Sequence, residues 1–289
     1  MAAGDLVRKV LRRFTGPGLL LRDVRRLVID LRADLIRLYA TYHQKRKTPG
    51  RVFRIPRRNC RMWLPISFGE TVAQRRFGTF EPWTFDVLDR IVRPGFVVVE
   101  LGACYGAFTI HLSRLVGPEG RVYGFEPFPK YFEIVERNIA LNTLKNVRLL
   151  NKAVTSPSIS SVDFSAESIT PYSGIEQITG LDYSEVLDSA KDESAHSIDT
   201  VQCVPLLEFL SSEQCTMDLL FMDIEGTEID VLKNIRSLLC SEGKRPVVFF
   251  ELHPRFYRSG DETWLYDFFE ECGYSTELIS SHLLCTPRS

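Results

Sequence analysis

The stretch FVVVELGACYG, residues 96–106, joins an apolar strand to a turn that contains two glycines. The strand ends in the carboxylate of Glu100, and Gly102 and Gly106 follow it. From Thr84 onward, apolar strands alternate with amphipathic helices, which predicts an α/β fold with a mostly parallel, doubly wound sheet. In such a fold, the turn after the first strand is where a nucleotide-like ligand binds.

The same alternation predicts the positions of the other elements. Strands are expected at 96–101, 121–125, 147–150, 217–222 and 247–252, and helices at 105–116, 129–141 and 229–239. The segment at about 155–200 differs, since it is rich in Ser and has only short apolar alternations. We interpret it as a long insert, of the kind that forms lids or binding loops.

The spacing of the glycine turn favours one class of ligand. A dinucleotide site requires glycine at the position of Cys104, so a nicotinamide-dependent oxidoreductase is disfavoured. The carboxylate of Glu100 can accept a hydrogen bond from a cationic amine, and that of Glu126, after the next strand, from the hydroxyls of a ribose. An adenosine with an ammonium group and no phosphate describes S-adenosyl-L-methionine. Each acid alone is equally explained as a helix cap or an ion-pair partner.

Composition excludes several classes of protein. The chain of 289 residues is 44% hydrophobic, so a disordered or fibrous protein is not expected. No apolar run approaches the roughly 20 residues that span a bilayer, and the basic start is unlike a secretory signal, which predicts a cytoplasmic protein. The seven cysteines contain no C-x-x-C pair and are predicted to be reduced thiols rather than a disulfide framework or a zinc site.

The chain is electrostatically divided. Residues 1–62 hold 17 Lys and Arg against 4 Asp and Glu, a net charge of +13, while the remainder has 19 basic and 33 acidic residues. Residues 1–47 are predicted to form a basic amphipathic helical extension, and residues 48–77 a linker and lead-in. The apolar seam of this extension has heptad spacing: Leu21, Val24, Val28, Leu31, Leu35, Leu38 and Tyr42. Packing on its own domain, homodimerisation and contact with an anionic membrane surface are its alternative roles.

Four motifs give the chain a family resemblance. They are VVELGACYGAFTIHLSR (98–114), GRVYGFEPFPKYFEIVERNIALN (120–142), DLLFMDIEGTEIDVLKNI (218–235) and VVFFELHP (247–254). In this order they resemble the FkbM-type branch of the class I S-adenosylmethionine-dependent methyltransferases, over about residues 78–254. The chain departs from the family's usual residues in having Glu100 instead of Asp, Cys104 instead of Asn and Met222 instead of Lys.

The resemblance implies a fold, an activity and a set of cofactor contacts. It implies a Rossmann-like domain over residues 78–289, with seven strands of which one is antiparallel. It also implies methyl transfer, usually to a hydroxyl oxygen of a sugar, a glycolipid or another natural-product-like acceptor. The residues expected to bind S-adenosyl-L-methionine are Glu100, Gly102, Ala103, Tyr105, Gly106, Glu126, Pro127 and Phe128.

The acids after the fourth strand favour an alcohol as the methyl acceptor. Enzymes that methylate planar nitrogens tend to carry an Asn/Asp-Pro-Pro-aromatic loop there, whereas this chain has DIEG. A hydroxyl is a poor nucleophile until a positioned base takes its proton. Asp223, Glu225 and His253 are the predicted catalytic residues, and Glu81 and Glu251 are weaker candidates for contacts with the substrate. A capping role for Glu81 and a structural role for His253 are the simpler alternatives.

Three alternatives stay open. Asp223, Glu225 and Glu251 are able to gather around Mg²⁺, although their spacing does not demand it, and no metal is predicted. A nucleic-acid methyltransferase would use the basic extension, but the acidic catalytic part would repel phosphate, so nucleic acid is not the expected partner. A non-catalytic binding protein of this fold would have lost the acids that this chain retains.

Overall fold

The computed structural model describes residues 51–55, 60–65, 81–165 and 198–288. The predicted N-terminal extension and residues 166–197 of the Ser-rich insert lie outside the described residues. The chain divides into two units, and the larger consists of Cys60–Met62 and Glu81–Ser289. All of the candidate site residues lie in that larger unit.

Two strands occupy the stretch predicted as a linker. Arg51–Ile55 (β1) and Cys60–Leu64 (β2) form a two-stranded sheet of their own. In β2, Cys60, Met62 and Leu64 are buried while the residues between them are more exposed, which is the period of two that a half-buried strand requires. The linker interpretation missed this alternation because arginines and prolines surround it.

The described part of the chain contains ten further strands and seven α-helices. The strands are Val97–Leu101 (β3), Arg121–Phe125 (β4), Val147–Leu150 (β5), Ala153–Val154 (β6), Ser161–Ser165 (β7), Ile198–Val204 (β8), Leu219–Met222 (β9), Val247–Glu251 (β10), Tyr274–Ile279 (β11) and His282–Pro287 (β12). The helices are Pro82–Ile91 (α1), Ala107–Val116 (α2), Pro129–Leu141 (α3), Leu206–Ser212 (α4), Glu228–Asn234 (α5), Arg236–Leu239 (α6) and Asp261–Glu271 (α7). In these ranges no helix has both the length and the apolarity to cross a membrane.

The main sheet has seven strands in the order β11-β12-β10-β9-β3-β4-β5. From β10 through β9, β3 and β4 to β5, each strand is parallel to the next one in the sheet. Strand β12 is antiparallel to both of its neighbours, β10 and β11. This confirms the predicted Rossmann-like sheet with one antiparallel strand. The central strands are largely apolar, with Glu100 of β3 as an exception, because helices cover both of their faces.

The two faces of the sheet bury alternate side chains. Val99 and Leu101 of β3 belong to one large apolar core, together with residues of α4 to α7. On the opposite face, Phe108 of α2 lies edge-on to Phe221 of β9, with 5.2 Å between the ring centroids. Burial of this kind contributes about 25 cal/mol per Å² of apolar surface. It fixes the carboxyl ends of β3, β4, β9 and β10 along a single edge.

The ends of the Ser-rich insert are ordered by a small sheet. Strands β6, β8 and β7 form a three-stranded sheet in that order. β7 and β8 are antiparallel, with Ser161 opposite Gln202 and Ser165 opposite Ile198. Residues 166–197 therefore begin and end at a pair of hydrogen-bonded strands.

One prediction about the cysteines is wrong. Cys240, after α6, and Cys272, after α7, form a disulfide, with their Cα atoms 4.3 Å apart. The pairing was not visible in the sequence because 32 residues separate the two cysteines and only the packing of the two helix ends brings them together.

Candidate functional site

The glycine turn after β3 lies directly against the loop after β9. Gly102 has φ of +87°, and a Cβ atom added to it would lie 2.0 Å from the carbonyl oxygen of Asp223. Only glycine fits this conformation and this approach. The backbone N–H groups of Gly102 and Ala103 both donate to the carbonyl of Phe125, at 2.9 and 3.0 Å. The turn is therefore fixed between β4 and the loop that carries Asp223.

The carboxylate of Glu126 holds the same turn from the end of β4. One oxygen accepts a hydrogen bond from the Cys104 N–H at 2.7 Å and the other from the Phe128 N–H at 2.9 Å. The pKa of Glu126 is raised to about 8 overall. Burial is the main cause and the charge of Glu100 adds to it, while the two backbone donors lower the pKa in part. Glu126 is only 4% exposed. The predicted contact with a ribose would therefore use the lone pairs of the Glu126 carboxylate that the hydrogen bonds from Cys104 and Phe128 do not occupy.

Glu100 lies inside the protein rather than at the surface of the turn. It is 0% exposed, and neither carboxylate oxygen makes a hydrogen bond to a described residue. A Cβ atom added to Gly124 would lie 3.6 Å from Oε2 of Glu100 and 3.8 Å from the methyl carbon of Thr109 on α2. The carboxylate of Glu100 and the side chain of Thr109 therefore lie near the same position of β4. The pKa of Glu100 is raised to about 8 overall, mainly by burial. Thr109 lowers this pKa in part, although its hydroxyl does not meet hydrogen-bond geometry. The expected direct contact with a cationic amine is therefore not available in this structure, because the side chain takes the α2 face of β3.

The remaining predicted cofactor residues contribute mainly backbone. Tyr105 is buried, and its carbonyl accepts a hydrogen bond from the side-chain amide of Asn138 at 2.9 Å. Gly106 precedes α2 with φ of +81°. Pro127 is half-buried. These residues shape the turn and the N-terminus of α2.

Phe128 was predicted to contact the cofactor, but its side chain belongs to the core. It is 0% exposed and packs with Ala153, Val162 and Val201 of the small sheet. Only its backbone N–H reaches the site, where it donates to Glu126. Its predicted contact with the cofactor stays a prediction, which the burial of the ring restricts to the backbone.

Two asparagines that the sequence analysis did not single out hold this region in place. Asn151, just after β5, donates through its amide to the carbonyls of Glu126 and Pro127, both at 2.9 Å. Asn138 does the same for the carbonyl of Tyr105 from the buried face of α3. A buried amide on an otherwise apolar helix face was the available signal for Asn138.

The predicted catalytic residues come together around one imidazole. Nε2 of His253 lies 3.6 Å from Oδ1 of Asp223, 3.6 Å from Oε2 of Glu225 and 3.8 Å from Oε2 of Glu251. His253 is 8% exposed, and the three carboxylates are half-buried. The loop after β9 and the end of β10 thus bring four sequence-predicted residues to one point.

Glu228, which the sequence analysis missed, organises this group. It is 0% exposed and its Oε1 accepts from Nδ1 of His253 at 2.9 Å and from the backbone N–H groups of Ile224 and Gly226, both at 3.3 Å. Its other oxygen accepts from the hydroxyl of Tyr257 at 3.3 Å. Glu228 therefore fixes the DIEG loop and the orientation of the imidazole together. Its signal in the sequence was an acid in the first turn of the helix that follows the motif.

The charges of the cluster shift its pKa values. Burial lowers the pKa of His253, but the hydrogen bond that its Nδ1 donates to Glu228 and the negative charges of Glu228, Asp223 and Glu225 raise it to about 9 overall. Burial and the carboxylates of Glu251, Glu81 and Glu225 raise the pKa of Asp223, and the charge of His253 opposes them. His253 is thus held as a cation among carboxylates at neutral pH.

Glu81 lies beside the cluster, next to a second buried histidine. Its Oε2 accepts a hydrogen bond from the hydroxyl of Thr84 at 3.1 Å and lies 3.8 Å from Nε2 of His282. It makes no side-chain hydrogen bond to the backbone of α1, so the capping alternative is not supported. Burial and the charge of His253 lower the pKa of His282 to about 4, which keeps that ring neutral.

Among the residues that the structure describes, two groups of side chains have the composition and spacing of metal ligands. Asp223, Glu251 and His253 form one, and Glu81, Glu251 and His282 form the other, with ligand atoms within 4.8 Å of one another in each. Glu251 is common to both. Glu225, a member of the set considered from the sequence, is instead paired with Arg255, whose Nη2 lies 3.2 Å from its Oε2.

Comparison with curated proteins gives one short similarity. Over 63 residues the chain is 41% identical to the tRNA (adenine(58)-N(1))-methyltransferase catalytic subunit TRM61 of two strains of Cryptococcus neoformans var. neoformans. The match covers 22% of this chain and 14% of the length of those relatives.

Several solved structures resemble the chain at low identity. M. jannaschii TYW2 in complex with AdoMet is 16% identical, with 83% of this chain and 85% of that chain covered and a TM-score of 0.43. A SAM-dependent O-methyltransferase from Thermotoga maritima is 12% identical, with coverages of 84% and 80% and a TM-score of 0.40. Aeropyrum pernix fibrillarin with natively bound S-adenosyl-L-methionine is 13% identical, with coverages of 71% and 73% and a TM-score of 0.39.

The family match is much longer than the similarity to any one curated protein. Residues 100–276, which are more than half of the chain, match the family described as the methyltransferase FkbM domain. The match includes the glycine turn, Glu126, the DIEG loop and His253. The chain therefore belongs to the FkbM family, a branch of the class I S-adenosylmethionine-dependent methyltransferases.

Proposed function

We propose that this chain transfers the methyl group of S-adenosyl-L-methionine to a hydroxyl oxygen of a sugar, a glycolipid or another polyhydroxylated acceptor. The observation that carries the proposal is the contact between the glycine turn and the DIEG loop. The carbonyl of Asp223 lies against Gly102, while the carboxylate of Asp223 faces His253. A methyl donor held at the turn would thus border the cluster that is able to handle the proton of an acceptor.

The cofactor side of the proposal relies on the turn and on Glu126. The N-terminus of α2, which is the positive end of the helix dipole, suits the carboxylate of the methionine moiety. The turn has Cys104 where a pyrophosphate would need glycine, which favours a nucleoside without phosphates. Glu126 is the candidate acceptor for the ribose hydroxyls, in addition to the two N–H groups that it already binds.

The acceptor side relies on the carboxylate cluster. A hydroxyl attacks a sulfonium methyl only as it loses its proton, and Asp223 is the candidate proton acceptor. Glu228 fixes the imidazole of His253, whose Nε2 lies 3.6 Å from Oδ1 of Asp223. Alignment of oxygen, methyl carbon and sulfur supplies much of the remaining acceleration. Glu225 and Glu251 are suited to accept hydrogen bonds from neighbouring hydroxyls of the acceptor.

A nucleic-acid acceptor is the second candidate, and the short identity with a tRNA methyltransferase is what favours it. The charge of the cluster argues against it. Glu81, Glu225 and Glu251 surround Asp223, and a phosphate backbone near them would be repelled. An uncharged polyol instead gains hydrogen bonds from the same carboxylates. We therefore favour the hydroxyl acceptor.

The test is methyl transfer from methyl-labelled S-adenosylmethionine into a fractionated cell extract. The wild-type chain should label a small-molecule or lipid fraction. Asp223→Asn should bind the cofactor as the wild type does and lose about 10²-fold or more of its turnover. Asp267→Asn, an exposed carboxamide substitution on α7, is the matched control and should retain full activity. Label found only in RNA, or normal turnover of Asp223→Asn, would refute the proposal.

A further inference from the structure

The atoms around Nε2 of His253 are spaced for a shared cation rather than for hydrogen bonds. Asp223 Oδ1 at 3.6 Å and Glu251 Oε2 at 3.8 Å are both beyond hydrogen-bond distance from Nε2. Two ligands bonded to one ion at about 2.1 Å, at angles between 90° and 120°, are about 3.0 to 3.6 Å apart. The distance from His253 to Asp223 is at the upper end of this range and that from His253 to Glu251 is slightly longer, while all three ligand atoms lie within 4.8 Å of one another.

The potential ligands are already oriented by their neighbours. Nδ1 of His253 donates to Glu228 at 2.9 Å, which leaves Nε2 as the nitrogen that faces the carboxylates. This carboxylate–histidine arrangement is typical of imidazoles that bind metals, since it fixes the ring and raises its basicity. Oε1 of Glu251 accepts from the hydroxyl of Ser281 at 3.0 Å, and its Oε2 is the atom that faces His253.

The charges near His253 also favour a cation. Asp223 and Glu251 lie close to this buried ring, and neither has a described Lys or Arg partner. Glu225 differs, since its Oε2, which lies 3.6 Å from Nε2 of His253, also lies 3.2 Å from Nη2 of Arg255 and so already has a cationic partner. Carboxylates that share a half-buried site repel one another. The proton of the His253 cation offsets that repulsion in part, and a divalent ion that displaces the proton from Nε2 would offset it more fully because of its greater charge.

The neighbouring group of Glu81, Glu251 and His282 is less suitable. Nε2 of His282 and Oε2 of Glu81 both contact the hydroxyl of Thr84, at 3.4 and 3.1 Å. Those contacts occupy the atoms that a metal would need. Nε2 of His253, in contrast, has no hydrogen bond to compete with an ion among the described residues.

We propose that Asp223, Glu251 and His253 bind one divalent first-row metal ion, with Mn²⁺ or Zn²⁺ as the best matches to two carboxylates and one imidazole. Three protein ligands leave positions open for water or substrate, as in catalytic metal sites. Binding of the ion follows from the ligand geometry alone. Only its role, which would be to bind the acceptor hydroxyl and favour loss of its proton, rests on the proposed methyl transfer.

The test titrates the chelator-treated full-length chain with Mn²⁺ and follows binding by electron paramagnetic resonance. We expect one Mn²⁺ per chain, a rise in Tm on binding, and electron spin echo modulation from a coordinated imidazole nitrogen. His253→Gln should abolish the nitrogen modulation. Asp223→Asn and Glu251→Gln should each weaken binding about tenfold or more. Asp267→Asn should bind Mn²⁺ as the wild type does.

The outcomes separate this inference from the proposed activity. Absence of Mn²⁺ binding to the wild type, or binding without nitrogen modulation, would overturn it even if a variant failed to fold. Equal affinity of the folded site variants and of Asp267→Asn would also overturn it, because the ion would then lie elsewhere. A chain that binds Mn²⁺ through His253 but methylates nothing would confirm the site and refute the methyltransferase proposal.

Discussion

At the scale of single residues, Glu126 shows how one carboxylate serves both the fold and the site. It accepts the N–H of Cys104, whose φ is +52°, and the N–H of Phe128. A residue other than glycine costs free energy in this conformation, on the order of 1 kcal/mol, and the hydrogen bond to Glu126 helps to offset it. The shape of the cofactor turn thus depends on an acid that also faces the expected ribose.

Glu126→Gln should lower the affinity for S-adenosylmethionine by about tenfold or more, which corresponds to about 1.4 kcal/mol. The reason is that the amide NH₂ of Gln must face one of two backbone N–H donors, so one hydrogen bond becomes a repulsive contact. Titration calorimetry measures the affinity. Glu136→Gln, an exposed change on α3, is the control. Equal affinities of both variants would show that Glu126 does not shape the site.

Glu100→Gln should flatten the dependence of stability on pH. The pKa of Glu100 is raised from 4.5 to about 8, so the folded state holds the proton more tightly than the unfolded state. The contribution of this group is therefore most favourable below pH 4.5 and is lost as pH rises towards 8, by on the order of a few kcal/mol. Gln does not titrate. Thermal unfolding between pH 5 and 9 should show a steeper loss in the wild type, and parallel curves would contradict the assignment.

Sequence patterns could predict which residues meet in the site, but not how they are oriented. Asp223, Glu225 and His253 follow neighbouring parallel strands, so their meeting at one edge was predictable. The direction of Glu100 was not, since both faces of β3 are covered and its alternation gives no polar side. Glu228 was missed because an acid in the first turn of a helix is ordinarily explained by the helix dipole.

At the scale of elements, the loop after β9 and the end of β10 act as one unit. Gly226 of the DIEG loop has φ of +103°, and a Cβ added there would lie 2.5 Å from the Cβ of Phe256. Glu228 at the start of α5 joins that loop to His253, two residues beyond β10. The position of the predicted catalytic group is therefore set by contacts between two loops rather than within one.

Glu228→Ala should destabilise the chain by about 3–5 kcal/mol, because four donors lose a buried acceptor: the hydroxyl of Tyr257 at one oxygen and, at the other, the N–H groups of Ile224 and Gly226 and Nδ1 of His253. Glu228→Gln keeps the oxygen that accepts the last three of these bonds and should retain most of the stability. Urea unfolding measures both free energies. Two equal losses would mean that packing, and not the hydrogen bonds, accounts for the effect.

The sequence predicted most elements of the main sheet and missed the smaller ones. The apolar runs of β3, β4, β5, β9 and β10 gave their positions to within two residues at each end. The antiparallel strand β12 was implied only by the family resemblance, because local patterns carry no strand direction. β1 and β2 were missed because arginines obscured their alternation, and the Cys240–Cys272 pair because it depends on tertiary packing.

At the scale of the whole molecule, charge separates the N-terminal residues from the rest. Residues 1–62 carry a net charge of +13, and the remainder is acidic. An acidic catalytic part would repel both an anionic membrane and a nucleic acid, so a contact with either depends on the basic residues. The role of residues 1–47 stays a prediction.

If residues 1–47 bind an anionic membrane, the full-length chain should float with vesicles that contain phosphatidylserine, and deletion of residues 1–47 should abolish flotation. A basic amphipathic helix gains both apolar burial and attraction to anionic lipid. About 0.5 M salt should weaken the binding, since it screens exposed charges. Neutral vesicles are the control. A chain that stays at the bottom of the gradient with both vesicle types would contradict membrane binding and favour a homodimer or packing on its own domain.

The most direct test of the account is titration calorimetry of the full-length chain with S-adenosylmethionine and, separately, with NAD. The turn at Gly102, which has Cys104 where a pyrophosphate would need glycine, and the acid at Glu126 predict binding of one S-adenosylmethionine per chain and no binding of NAD. Binding of NAD without binding of S-adenosylmethionine, or binding of neither, would contradict it.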